Sequence, residues 1–210
     1  MIKLSDRKPF AGGNKRDCYF LPDDASKIIK VIPRNKSPQV LHSRKVWLRR
    51  MLQSPEALDA NRIESEKFEK LKKKLGDLPE VLPHLVSYFG KMNTDLGEGL
   101  VFQAIKNYDG RVSESINMAS ETGGYNKAAL LKALKSFAAN RHDAVIFNDI
   151  GKDNVVVQVL GPDHERYKFW IVDGINCAHF IPISEYSNVY ATARKFKKLW
   201  QIKKFIKKNF

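Results

Sequence analysis

Hydrophobic and polar positions change period several times along this chain, and each change marks an element. Near the N-terminus the apolar residues come in short runs: Cys18-Tyr19-Phe20, a break at Pro22-Asp23-Asp24, then Ile28-Ile29-Lys30-Val31-Ile32. Runs of β-branched and aromatic residues bounded by turn formers predict strands. Gly12-Gly13 makes a turn before the first run, and Pro33 ends the second. Between Gln39 and Leu75 the pattern turns helical, with Ile63, Phe68, Leu71 and Leu75 recurring at about 3.6 residues among Glu and Lys. Pro79 and Pro83 bracket a loop. Strands are then predicted over Leu85–Phe89 and Gly99–Ile105, joined by a turn at Asn93–Gly97. Lys127–Asn140 reads as a helix that gathers Leu130, Leu131, Leu134, Phe137 and Ala138 on one face. A β-rich stretch from Val145 to Val172 interrupts the helices, and Tyr186–Phe210 closes the chain as a very basic helix. The order predicts an α+β architecture, with a β-rich N-lobe over residues 1–104 and a helical C-lobe over residues 105–210.

Composition narrows the function classes. At 210 residues, with 43% hydrophobic and 29% charged, the chain is globular and has room for one domain or two small lobes. No apolar run is long enough to cross a bilayer, which excludes a polytopic membrane protein. Met1 to Arg7 is polar and lacks the apolar core of a signal peptide, so a cytoplasmic setting is expected. Two distant cysteines, Cys18 and Cys177, make neither a disulfide framework nor a zinc cluster, in keeping with a reducing compartment. His42, His84, His142, His164 and His179 show no metal-ligand spacing. Charge is the unusual property: 37 Lys+Arg against 23 Asp+Glu give +14 and a pI near 9.7. Such a field draws polyanions, whether nucleotides, phosphorylated sugars, acidic lipid or nucleic acid. No helix-turn-helix, zinc-finger or RNA-recognition signature is present, so a nucleic-acid role rests on charge alone.

Four segments carry residue types that phosphoryl transfer requires. Gly12-Gly13, followed by Lys15 and Arg16, could bring backbone amides and cations close to a polyphosphate, although such a hairpin is usually just a turn. Lys30 stands in the middle of a β-branched strand, where burial is expensive without an anionic partner. It either guards a sheet edge or contacts phosphates and pairs with a helical carboxylate. Glu64 is the candidate, since it precedes Phe68 by four and Leu71 by seven and so shares their inward face; Glu66 and Glu69 fall nearer solvent. Asp149 and Asn154, five apart across a tight loop, pair an acid that can take a hydroxyl proton with an amide that can ligate a metal. Asp143 and Asn148, after Arg141-His142, offer a competing register. Lastly, Phe169-Trp170-Ile171-Val172 runs into Asp173-Gly174, an acid at a strand end placed to hold a divalent ion.

Taken in order, these segments resemble the protein-kinase-like fold, with the inter-lobe cleft expected between Ile105 and Asp109. Within it, Gly12–Pro33, Glu64–Leu71, Pro79–Ser115 and Val145–Gly174 resemble the YrbL family, the PhoP regulatory network proteins. The stretches Arg16-Asp17-Cys18-Tyr19, Ser26–Val31, Asn93–Phe102 and Asp109-Gly110 are especially similar. The resemblance implies ATP and magnesium as cofactors, Lys30 on the phosphates with Glu64 as partner, and Asp149 as catalytic base. It further implies Asn154 and Asp173 as magnesium ligands, and Gln103 to Ile105 as the hinge that hydrogen-bonds adenine. The chain departs from protein kinases in having Phe147-Asn148 where His-Arg is usual and Asp173-Gly174-Ile175 without the intervening Phe. The implied function is a phosphotransferase acting on a hydroxyl of a protein, sugar or lipid-linked acceptor. A catalytically silent regulatory module is the alternative, as is a basic adaptor for acidic lipid or nucleic acid.

The basic tail, Arg194 to Lys208, places Phe196, Leu199, Trp200, Phe205 and Ile206 at helical spacing among lysines. It can dock on its own lobe or lie on the acidic inner face of a membrane. Docking is the expected outcome, because a domain this small needs every apolar face.

Overall fold

Tyr19, Ile29 and Val31 alternate with Cys18, Ile28 and Lys30, and that alternation sets the two faces of an antiparallel sheet. The computed structural model describes residues 1–12, 16–32, 59–139, 150–173 and 188–210. The chain divides into two compact units, Met1–Lys74 with Ser87–Ala104, and Leu75–Val86 with Ile105–Phe210.

In the first unit, strands β1 (Ala11–Gly12), β2 (Asp17–Leu21), β3 (Asp24–Val31), β4 (Tyr88–Thr94) and β5 (Gly97–Gln103) form one sheet. Their order is β1-β2-β3-β5-β4, all antiparallel. Leu4, Tyr19, Ile29, Val31 and Val101 make the core of one face, with Ile2, Leu21 and Leu96 packed beside them. The N-terminal segment is fastened there because Asp95 accepts from the amides of Leu4 at 2.8 Å and Ser5 at 3.1 Å. The Ser5 side chain first, then the Leu4 amide and, less, the Ser5 amide hold the Asp95 carboxyl at about 2. Gly97, at φ +119°, makes the turn between β4 and β5. Gly99 has a different reason: a Cβ there would stand 2.6 Å from Ile29 Cγ1.

Helix α1 (Ala60–Leu75) covers the other face. Asp59 caps it, its Oδ1 accepting from the amides of Asn61 at 2.7 Å and Arg62 at 3.0 Å. The buried row is Asn61, Glu64, Ser65, Phe68 and Leu71. Phe68 meets Tyr88 and Phe102 with ring centroids 5.0 and 5.5 Å apart. Ile63, expected on the inward face, is instead exposed, because the row through Glu64 and Phe68 lies on another side of the helix. The expected strand over Leu85–Phe89 is also corrected: β4 starts at Tyr88, and Leu85 bridges Ile171 in the second unit.

That second unit holds helices α2 (Leu78–Val81), α3 (Ile116–Thr122), α4 (Lys127–Ala139) and α5 (Asn188–Asn209). Strands β6 (Glu114–Ser115), β7 (Val155–Val159) and β8 (Tyr167–Ile171) form an antiparallel sheet in that order. Leu75–Val86 belongs here, outside a continuous N-lobe over 1–104, because it pairs with β8. Ile171 N donates to His84 O at 2.7 Å, and Val86 N donates to Ile171 O at 3.1 Å. Val155, Val157, Phe169 and Ile171 are fully buried, as are Leu130 and Phe137 of α4. His84 Nδ1 donates to Phe169 O at 2.8 Å and its ring meets Phe137 edge-on; burial holds its pKa below the usual value. Helix α5 docks through Leu199, Ile202 and Ile206, each such side chain contributing about 1.5–3 kcal/mol on full burial. Buried Lys195 donates from Nζ to Ala138 O at 2.9 Å, at the end of α4. No helix among the described residues is long and apolar enough to cross a membrane.

Candidate functional site

Lys30 lies within β3, which has a neighbour on each side, so the edge-guarding role does not apply. Cys18 of β2 and Leu100 of β5 stand directly opposite it. On the same face, α1 brings Glu64 down onto the sheet. Lys30 Nζ lies 3.5 Å from Glu64 Oε1, with the two side chains 7% and 1% exposed. Arg16, just before β2, bonds the other oxygen of the same carboxylate through Nη1. That guanidinium also lies 3.5 Å from Asn61 Oδ1, and Asn61 Nδ2 donates to the carbonyls of Lys30 at 3.4 Å and Glu98 at 3.2 Å. The Lys30 ammonium sits 4.4 Å from the centroid of the Phe102 ring.

Desolvating ions this deeply costs several kcal/mol each, so the pairing and its hydrogen bonds are what make the burial tolerable. Glu66, by contrast, is exposed and pairs with Arg62 at 2.8 Å along the helix. Arg16 and Asn61 are members of this network that pattern reading did not assign to Glu64. Both had a signal: Arg16 is two before Cys18 and four before Phe20, on one sheet face, and Asn61 is three before Glu64.

In the second unit, Asn154 and Asp173 come to the same end of the β7–β8 hairpin. Val155 pairs with Ile171, and Val172 N donates to Asn154 O at 3.1 Å, which sets Asp173 one residue further on. Both side chains are half-buried. The loop leading into β7 is tightly held. Asn154 N donates to Gly151 O at 3.1 Å, and Asn117 of α3 donates to Lys152 O at 3.2 Å. Lys152 Nζ returns a bond to Asn117 Oδ1 at 2.6 Å, and Ile150 is fully buried. An amide and a carboxylate at one strand end offer oxygen donors of the kind a hard divalent cation takes. No cluster of three or more His, Cys, Asp or Glu side chains able to hold a metal occurs among the described residues.

The match to a family model described as PhoP regulatory network protein YrbL runs from residue 2 to residue 209. The chain belongs to the YrbL family. It is 24% identical over 211 residues to protein YrbL of Escherichia coli K12, covering 98% of this chain and 87% of that protein. The YrbL protein of Shigella flexneri gives the same figures.

The other expected site positions in this YrbL-family chain are placed as follows. Gly12 ends β1, exposed, opposite Asp17. Gly13, Asp149 and the competing Asp143–Asn148 register lie outside the described residues. In the expected hinge stretch, Gln103 N donates to Ser87 O at 3.0 Å and Ala104 N to Ser26 O at 2.8 Å. Ile105 O accepts from Ser113 N at 2.9 Å. These three backbone groups are committed to protein partners.

Proposed function

We propose that this YrbL-family chain is an ATP- and magnesium-dependent phosphotransferase of the protein-kinase-like fold, transferring a phosphoryl group to a hydroxyl acceptor. The observation that carries this reading is the buried Lys30–Glu64 pair in the interior of the sheet. A hydrophobic pair in the same place would serve stability as well or better, so a charged pair there calls for a functional reason.

In this reading Lys30 neutralises and orients the nucleotide phosphates, and Glu64 fixes the direction of its ammonium. Arg16 keeps the second oxygen of Glu64 occupied, so the carboxylate stays in place as Lys30 turns toward phosphate. Asp149 accepts the proton of the acceptor hydroxyl as its oxygen bonds the γ-phosphorus. The bond to the β–γ bridging oxygen breaks, and ADP carries that electron pair away. Asn154 and Asp173 are the residues that would hold magnesium, whose chemistry is to neutralise charge on the phosphate oxygens. The acceptor is a protein, a sugar or a lipid-linked hydroxyl.

Thermal melting of the full chain with ATP or ADP, with and without magnesium, tests the reading. At a hundred times its dissociation constant a bound nucleotide stabilises by about 2.7 kcal/mol, and magnesium should enlarge the shift. Radiolabelled ATP incubated with fractionated lysate then reads transfer into protein, lipid or small-molecule fractions. No shift under any nucleotide overturns the reading; a shift without transfer to any fraction leaves a nucleotide-binding regulatory module in its place.

A further inference from the structure

Helix α5 satisfies its own core with one row of side chains and displays a second row of a different character. The inner row is Lys195, Leu199, Ile202 and Ile206, all buried. On the outer face Phe196 is 66% exposed and Trp200 60% exposed, one turn apart. At about 100° per residue, Phe196, Trp200, Lys203 and Lys207 fall within an arc of about 60°, with Lys204 and Lys197 along its border. All four lysines are exposed, and Lys204 Nζ lies 5.3 Å from the Trp200 ring centroid. No acidic residue occurs anywhere in α5.

Solubility alone would explain the lysines and leaves the two large aromatics unaccounted for. Binding to a nucleic-acid backbone has the same gap, since phosphate contacts need cations and not a protruding indole. An anionic bilayer uses both: lysines gain from the negative surface potential, and Trp and Phe settle at the headgroup level, where an amphipathic ring has its favoured position. Because the inner row is already packed, the helix does not have to leave its own core to present this face. We propose that the outer face of α5, centred on Phe196 and Trp200 and bordered by Lys203, Lys204 and Lys207, is a docking surface for an anionic lipid bilayer.

The test uses the full chain with vesicles of phosphatidylcholine alone and of phosphatidylcholine mixed with phosphatidylserine, and a double-stranded DNA as competitor probe. Cosedimentation should occur with the phosphatidylserine vesicles and weaken with salt. The variant K203Q/K204Q/K207Q should lower partitioning by about a hundredfold. The variant F196S/W200S should lower it by about tenfold or more, with melting temperature and nucleotide response unchanged because these side chains are exposed. Tryptophan fluorescence should shift blue on binding and be quenched by brominated acyl chains, and W200S should lose that response. Failure to bind either vesicle overturns the proposal. Equal vesicle binding by wild type and F196S/W200S overturns it as well, and so does DNA binding that outcompetes the vesicles.

Discussion

Arg16 and Lys30, the one just before β2 and the other within β3, bond opposite oxygens of a single carboxylate, that of Glu64. The carboxylate is therefore the shared member of the network, and its removal should be felt more than removal of either cation. Glu64→Ala takes the shared anion from buried Lys30 and half-buried Arg16 and should cost about 3–5 kcal/mol of stability. Lys30→Met keeps the aliphatic length and leaves Glu64 with Arg16, so its cost should be clearly smaller. Urea unfolding midpoints of the full chain compare the two. Equal losses would mean that the three groups do not act as one unit.

Variants at the proposed site should separate binding from chemistry. Lys30→Met should weaken nucleotide binding, while Asp173→Asn should remove only the magnesium-dependent part of the thermal shift. Asp149→Asn should leave the shift nearly intact and lower turnover by about 10²–10⁴-fold, as expected for loss of a general base. Full turnover in Asp149→Asn would place the base elsewhere, with Asp143 and Asn148 the next pair to change.

Gly99 tests the packing of the sheet's far face. An alanine Cβ would lie 2.6 Å from Ile29 Cγ1 and 2.7 Å from its Cδ1, so Gly99→Ala should cost about 1–3 kcal/mol through overpacking. Measured in an Ile29→Ala background, the same substitution should cost less, since the two nearest atoms are gone and Val31 Cγ2, at 3.0 Å, remains. An unchanged cost would point to Val31 or the backbone rather than to Ile29.

Acid titration should expose the clamp on the N-terminal segment. The Asp95 carboxyl sits at about 2 when folded, against an ordinary value of 3.8. A depressed acid contributes its stability above the ordinary value and loses it as the pH falls through the folded one. Wild type should therefore lose stability as the pH falls from about 4 to 2, and Asp95→Asn should be flatter over that window while starting lower. Parallel acid melts of the two proteins would show the difference; identical slopes would exclude Asp95 as a contributor.

Much of the first unit was legible in period and punctuation. The two-residue alternation around Lys30 and the helical spacing from Glu64 to Leu71 are local properties, and they sufficed to predict that the pair would meet. Arg16 was harder, since a residue flanking a glycine turn can point to solvent, phosphate or a helix with the same sequence. Ile63 misled because an apolar residue on a basic helix looks like core until Asn61 and Ser65 claim the inner row. In α5 two apolar rows compete. Spacing alone could not show that Leu199, with Ile202 and Ile206, is buried while Phe196 and Trp200 are not. Asn154 and Asp173 were legible as strand-end residues, but their arrival at one hairpin end depends on the register between β7 and β8.

The excursion of Leu75–Val86 into the second unit governs how the protein can be made and cut. During synthesis β3 emerges long before β5, its interior neighbour, so one edge of the nascent sheet stays open until Gln103 has left the ribosome. A fragment ending at Lys74 would keep that open edge permanently and should aggregate. Severing the chain at Ala104 does damage on the other side, since the fragment from Ile105 onward lacks the backbone of His84 and Val86 that borders Ile171. Neither half is a self-sufficient folding piece in linear order, and a divided protein should recover its fold only when both pieces are supplied together.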